Sequence, residues 1–263
     1  MNAELLLMFT LACDRAYLYG HPERELTNDE RARYEEALTQ RAKGIPAQYI
    51  TGHQEFWGMD FIVSPAVLIP RPETEHVIER VLEVLAAGRG AETARRRPRL
   101  ADVGTGSGCI ALALAKELPQ AEIHATDISS EALEIARANA TRLNLDTRIG
   151  FHQADLLAGI EPPFDAVVSN PPYVGLAEED QVQLEVRKFE PRTAVFAGQS
   201  GLEVIERLVP QAYAVLEPKG WLVLEMSGTI SDKAQRLLHG WANLEVMPDL
   251  QGIPRVLSAQ KPS

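Results

Sequence analysis

The chain has 263 residues, 45% of them hydrophobic, enough for one full α/β domain beside a smaller one. Its formal net charge of -11 offers no general attraction to a phosphate backbone, which favours protein over nucleic acid as a partner while leaving room for a local basic patch. The two cysteines, Cys13 and Cys109, fall in separate helical stretches without metal-ligand spacing, so neither a disulfide framework nor a bound metal is expected.

Leu5 to Cys13 is apolar, yet Glu4 stands where a signal peptide carries basic residues, and Asp14-Arg15 follows without a small-residue cleavage site. The segment is read as a helix, and the protein as cytoplasmic with no membrane association. Residues 1–45 alternate apolar clusters (Leu5, Leu6, Phe9, Tyr17, Leu18) with the charged stretch from Glu30 to Glu36, the pattern of short amphipathic helices punctuated by Gly20, Pro22 and Gly44. They form either a small helical domain that recognises a partner or a structural cap. Residues 46–75 read as a linker. Ile45 to Gly52 and Phe56 to Val63 are two short aromatic and β-branched runs across a glycine turn, predicting a β-hairpin. Pro72 is placed to open a helix carrying Val77, Ile78, Val81, Leu82 and Leu85, and Glu73 and Glu75 in its first turn are ordinary partners of the helix dipole. Arg95-Arg96-Arg97 with Arg99 reads as a solvated linker before the next strand.

Residues 76–263 alternate strands and helices as a doubly wound sheet does. Leu100 to Val103 is a strand, Gly104-Thr105-Gly106-Ser107-Gly108 a turn, and the apolar run from Cys109 a helix. Alternating glycines bring the backbone against a ligand and aim a helix N-terminus at it. The spacing is G-x-G-x-G, which departs from the dinucleotide pattern. The next strand, from Glu122, ends at Asp127, about 20 residues on, where an acid gripping a ribose belongs. Ser129-Ser130-Glu131 caps a helix carrying Ala132, Leu133, Ile135, Ala136 and Leu143. Ile149 to Asp155 reads as the third strand and Phe164 to Ser169 as the fourth. A helix over 201–216, a strand over Trp221–Met226, a helix over Ser231–Trp241 and strands at Leu244–Met247 and Val256–Ala259 complete the sheet.

The fourth strand stops at Asn170-Pro171-Pro172-Tyr173. Pro171 holds Asn170 extended, and neither proline has an N–H, so the corner offers acceptors with few donors to quench them. Asn170 Oδ1 and the Pro171 carbonyl could each accept one N–H of a planar NH2 group while the Tyr173 ring covers its flat face. The same residues also make an ordinary proline-rich loop.

Glycine turn, ribose acid and Asn-Pro-Pro-Tyr on successive strands resemble the class I S-adenosylmethionine-dependent methyltransferases of amino groups. Gln48-Tyr49-Ile50-Thr51-Gly52, Glu55-Phe56-Trp57-Gly58, Leu68 to Glu75, Ser169 to Tyr173, Phe189-Glu190-Pro191 and Asp249 to Arg255 are similar to the peptide chain release factor glutamine methyltransferase (PrmC or HemK) family. Ser227 departs from the glycine that many members carry. The resemblance implies a Rossmann-like, doubly wound seven-stranded sheet with a small N-terminal helical domain joined by a β-hairpin linker. It implies S-adenosylmethionine as cofactor and a monomer that methylates the glutamine amide in a release factor Gly-Gly-Gln motif without needing nucleic acid. By the same resemblance, Gly104, Thr105, Gly106, Ser107 and Gly108 border the methionine part of the cofactor, Asp127 the ribose, and Asp155 and Leu156 the adenine. Asn170 touches the cofactor and, with Pro171, Pro172 and Tyr173, holds the reacting amide; Arg71, Glu73 and Glu75 help close the substrate pocket. A ribosomal-protein glutamine methyltransferase, a nucleic-acid amino methyltransferase and a cofactor-binding adaptor that no longer catalyses are the alternatives.

Overall fold

The computed structural model describes residues 2–87 and 97–263, so Arg95 and Arg96 of the basic run lie outside the described residues. Helices α1 (Asn2–Leu11), α2 (Arg15–Gly20) and α3 (Asn28–Ala42) come first, with a reciprocal Thr27/Glu30 capping box at the start of α3. They share with α4 (Ala47–Thr51) a small core of Leu6, Ala37 and Ala47, while Phe9 and Tyr19 remain 50% and 70% exposed. Helix α4 corrects the expected strand over Ile45–Gly52. Ala47, Ile50 and Thr51 fall at helical spacing rather than alternating, Pro46 sits at the N-cap, and Gly52 ends the helix in the left-handed region at φ 75°.

The hairpin is correspondingly shorter, β1 (His53–Phe56) and β2 (Met59–Ile62). Trp57 and Gly58 form its two-residue turn, both with positive φ (53° and 63°), the twist that suits a tight hairpin. Residues far along the chain hold it in place. Asn139, wholly buried, accepts from Ile62 N at 2.7 Å and donates to both Ile62 O and Ser107 O, joining hairpin to glycine turn.

Pro72 opens a short 3-10 turn, Pro72–Thr74, that runs into α5 (Glu75–Ala87). Val77, Ile78 and Val81 of α5 face the sheet. Then come β3 (Arg99–Val103), α6 (Cys109–Glu117), β4 (Glu122–Asp127), α7 (Ser130–Arg142), β5 (Ile149–Gln153) and β6 (Phe164–Ser169). Short α8 (Leu184–Phe189) and α9 (Arg192–Val195) lead to α10 (Glu203–Val215), β7 (Leu216–Glu225), α11 (Ser231–Leu237), β8 (Ala242–Pro248) and β9 (Pro254–Gln260). Arg99 is a strand residue, not linker. Its guanidinium lies 4.9 Å over the Phe164 ring and pairs with Glu122, so its stem covers apolar surface while the charge stays wet. Strand β5 stops at Gln153, because Asp155 already begins the following turn by accepting from Ala158 N. Helix α11 ends at Leu237, short of Trp241, with left-handed Gly240 (φ 88°) beyond it.

The seven strands are ordered β5-β4-β3-β6-β7-β9-β8, parallel except for β9, which is antiparallel to both neighbours. Side chains alternate across the sheet. Leu100, Ile123 and Val168 pack toward α5 and α6, whereas Ala101, Val167 and Leu222 pack toward α10 and α11. The strand order reverses between β3 and β6, and such a switch point opens a crevice at the carboxyl ends of the strands. Val103 is in register with Ser169, whose Oγ donates to Val103 O at 2.6 Å, so Gly104 and Asn170 leave the sheet side by side.

Candidate active site

Two cavities meet at that crevice. The first, about 470 Å3, is walled by the glycine turn, by Asp127 at the end of β4 and Ile128 beyond it, by Asp155 and Leu156 after β5, and by Asn170 and Pro172. Gly104 and Gly106 hold φ 72° and 54°, and a Cβ on either would meet no neighbour. Gly108 serves differently. A Cβ there would stand 3.1 Å from Leu112 and 3.3 Å from Ala136, so this glycine permits close packing of α6 on α7 and does not line the cavity. Beneath the turn, buried Asp102 accepts from Thr105 Oγ1 at 2.6 Å and from Ala111 N at 3.1 Å. Burial pushes its carboxyl up to about 7. Asp127 braces the turn from the far side, accepting from Gly106 N and Ser129 N, each at 2.9 Å. Burial raises its carboxyl too, against the pull of those backbone donors. Asp155 pairs with Arg207 across the cavity mouth, and Leu156 is held in the left-handed region at φ 56°, a strained conformation for leucine.

The second cavity, about 590 Å3, lies on the other side of Asn170 and is walled by charged and polar side chains: Gln48, Arg71, Glu73, Tyr173, Glu225 and Arg255 among them. Glu225 ends β7 and is 2% exposed. Its Oε2 accepts from Thr74 Oγ1 at 2.6 Å and its Oε1 from Tyr173 Oη at 3.1 Å. Asn170 Nδ2 donates to Thr74 Oγ1 at 3.1 Å. Burial raises the Glu225 carboxyl, while the two hydroxyls and Arg255 act in the opposite direction. Burial, then the neighbouring Glu225, likewise pushes up the Tyr173 phenol. Arg71 pairs with buried Glu190, which also accepts from Ile69 N at 3.2 Å. Behind the Pro-Pro-Tyr segment, a Cβ on Gly201 would come within 2.5 Å of Tyr173 O, so a neighbouring loop presses directly on its backbone.

Of the residues singled out in the sequence, Gly104, Thr105, Gly106, Ser107, Asp127, Asp155, Leu156, Asn170 and Pro172 come together around the first cavity. Glu73 and Tyr173 line the second, and Asn170 and Arg71 line both; Pro171 is in the wall of neither. Glu75 is elsewhere. Its Oε1 accepts from Trp57 N at 2.9 Å, which supports the left-handed hairpin turn. Thr74, Glu190, Glu225 and Arg255 received no role from the sequence. Glu225 carried a usable signal, an acid closing an apolar strand at the carboxyl edge of a parallel sheet. Among the described residues no cluster of His, Cys, Asp and Glu is placed to hold a metal ion, and no helix is long and apolar enough to cross a membrane.

Residues 1–52 match the PrmC N-terminal domain and residues 89–188 the Methyltransferase small domain. The release factor glutamine methyltransferase of Koribacter versatilis is 56% identical over 100% of this chain and 91% of its own length. That of Chlorobaculum tepidum is 42% identical over 98% and 89%. Among solved structures, the hMettl16 catalytic domain superposes with a TM-score of 0.62 at 19% identity, over 81% of this chain and 79% of that one, a likeness of fold alone. With identity of this level over nearly the whole length of both chains, the chain belongs to the release factor glutamine methyltransferase family.

Proposed function

We propose that the protein transfers a methyl group from S-adenosylmethionine to the side-chain amide nitrogen of the glutamine in the Gly-Gly-Gln motif of peptide chain release factors. One observation carries this reading: Asn170 stands in the wall of both cavities, so a donor bound in one and an amide bound in the other meet at its side chain.

The first cavity fits the cofactor. Gly104 and Gly106 present bare backbone to the cavity, Asp127 offers a carboxylate for the ribose hydroxyls, and Leu156 an apolar face with Asp155 beside it for the adenine. When bound, S-adenosylmethionine supplies a cationic, already activated methyl group. The chain's own part is to make the amide a better nucleophile. An amide lone pair is delocalised into its carbonyl; Asn170 Oδ1, by accepting an N–H bond, holds the nitrogen in line and favours a more amine-like state. Tyr173 packs beside it, and Arg71 and Glu73 line the approach.

Residues 1–45 are the substrate-recognition domain in this reading, residues 46–75 the linker and residues 76–263 the catalytic domain. Arg41 of α3 pairs with Glu185 of α8 at 2.6 Å, and Glu185 lines the second cavity, which supports a recognition role for the helices. The exposed Phe9 and Tyr19 offer apolar contact for a folded partner in the cytoplasm. The test is incubation with labelled methyl donor and separate pools of release factor, ribosomal protein and nucleic acid. Label on release factor is the expected result; label confined to either other pool overturns the assignment.

A further inference from the structure

We infer that Glu225, acting through Thr74, is the positioning device that fixes which end of the Asn170 carboxamide faces the reacting amide. The inference rests on the acceptor role proposed for Asn170 and explains how that role is enforced.

The two ends of an asparagine carboxamide have nearly the same shape, so packing alone selects neither. Hydrogen-bond polarity does. A carboxylate can only accept, and both oxygens of Glu225 are met by hydroxyl donors, Tyr173 Oη at 3.1 Å and Thr74 Oγ1 at 2.6 Å, so the single hydroxyl proton of Thr74 is directed to it. Thr74 Oγ1 therefore turns lone pairs toward Asn170, and only Nδ2 can approach it, as it does at 3.1 Å. Turned over, Asn170 would set Oδ1 against those lone pairs and present its NH2 to the substrate NH2, donor facing donor. The other carboxylate oxygen accepts from Tyr173, so one buried group restrains both ends of the Asn-Pro-Pro-Tyr segment.

The geometry is built by the sheet. Strands β6 and β7 are in parallel register with Ser169 opposite Leu224, which sets Asn170 level with Glu225, and the 3-10 turn before α5 inserts Thr74 between them. Thr74 and Glu225 are 1% and 2% exposed, so water does not compete for these bonds. A buried carboxylate generally stabilises a fold less than an apolar side chain of similar volume would, so stability alone does not account for it.

The experiment is a double-mutant cycle on the full-length protein, measuring kcat on a Gly-Gly-Gln peptide and cofactor affinity by calorimetry. Thr74→Val removes the hydroxyl at constant shape, and we expect kcat to fall about tenfold, the scale of one oriented hydrogen bond, with cofactor affinity held within about twofold. Thr74→Ser should restore most of the lost turnover. In an Asn170→Ala background the Thr74→Val loss should disappear, because the device then has nothing to orient. Glu225→Gln keeps the shape but cannot accept from both hydroxyls; it should follow the same non-additive pattern, and it carries the test if Thr74→Val fails to fold. Additive losses, or wild-type kcat in Thr74→Val beside a large loss in Asn170→Ala, would overturn the positioning role while leaving the acceptor role intact. An unimpaired Asn170→Ala would overturn both.

Discussion

The two cavities that share Asn170 are built in opposite ways. The first is centred on a backbone turn: two glycines in left-handed conformations, their turn held by Asp127 through a bond to Gly106 spanning only 21 residues. The second is side chain on side chain, with Thr74, Asn170 and Glu225 joined by bonds that span 96 and 151 residues, and Arg71 and Glu190 by one that spans 119. A backbone cradle grips any ligand that offers matching donors and acceptors, whereas a buried polar network is exacting, since each unmet partner costs roughly 1–3 kcal/mol. General cofactor binding is thus assigned to one wall and selection and orientation of the amide to the other.

Asn170→Ala sharpens that division most. Removing a preorganised partner of the reacting group should lower kcat by about a hundred- to a thousandfold. Cofactor affinity should fall by less than about tenfold, the worth of at most one hydrogen bond. Asn170→Asp keeps the acceptor and should retain more activity than Ala. From the other side, Gly106→Val should weaken cofactor binding by at least about tenfold, because a β-branched residue is strained by roughly 1–2 kcal/mol at φ 54° and Gly106 is in the cavity wall. At saturating cofactor its kcat should approach wild type. A variant that loses kcat and keeps its affinity would break the division.

Smaller effects probe the margins. Phe9→Ser with Tyr19→Ser alters exposed residues, so stability should stay within about 0.5 kcal/mol. Turnover on whole release factor should fall several-fold while a short Gly-Gly-Gln peptide is unaffected; equal losses would make the helices scaffold. Asp102 should matter least to turnover, but it gives the fold a pH signature. Its carboxyl is raised from 3.8 to about 7 by burial, so across that window the folded protein holds a proton that the unfolded chain has released. The stability this group contributes is present below pH 3.8 and is lost as pH rises to about 7. Asp102→Asn should flatten that part of a plot of unfolding midpoint against pH, and an unchanged slope would contradict the assignment.

The first cavity is legible in the sequence because its parts are local. Gly104, Gly106 and Asp127 follow strands whose apolar runs mark their ends, and a parallel sheet brings those ends together whatever the loops do. The helical segment at Ala47–Thr51 reads as strand in the sequence because a short apolar run does not reveal its period, and only the Gly52 cap separates the two readings. The second wall is legible only in part: Arg71, Glu73, Asn170 and Tyr173 are singled out by the resemblance, but their partners are not. Glu73, Thr74 and Glu75 are consecutive at a helix start, where acids serve equally as dipole partners, yet the chain sends Glu73 to the cavity, Thr74 to Glu225 and Glu75 to the hairpin. Those destinations are set by partners far along the chain, and spacing holds no record of them.

The claim that amide and methyl donor meet at Asn170 is tested most directly by locating the product. Release factor incubated with the protein and S-adenosylmethionine, then digested and sequenced by tandem mass spectrometry, should carry one methyl group on the side-chain nitrogen of the Gly-Gly-Gln glutamine. With Asn170→Ala in place of the wild type, that modification should fall to about a hundredth of its rate or below while the cofactor still binds. A methyl group on any other side chain, or unchanged glutamine methylation by Asn170→Ala, would contradict the claim.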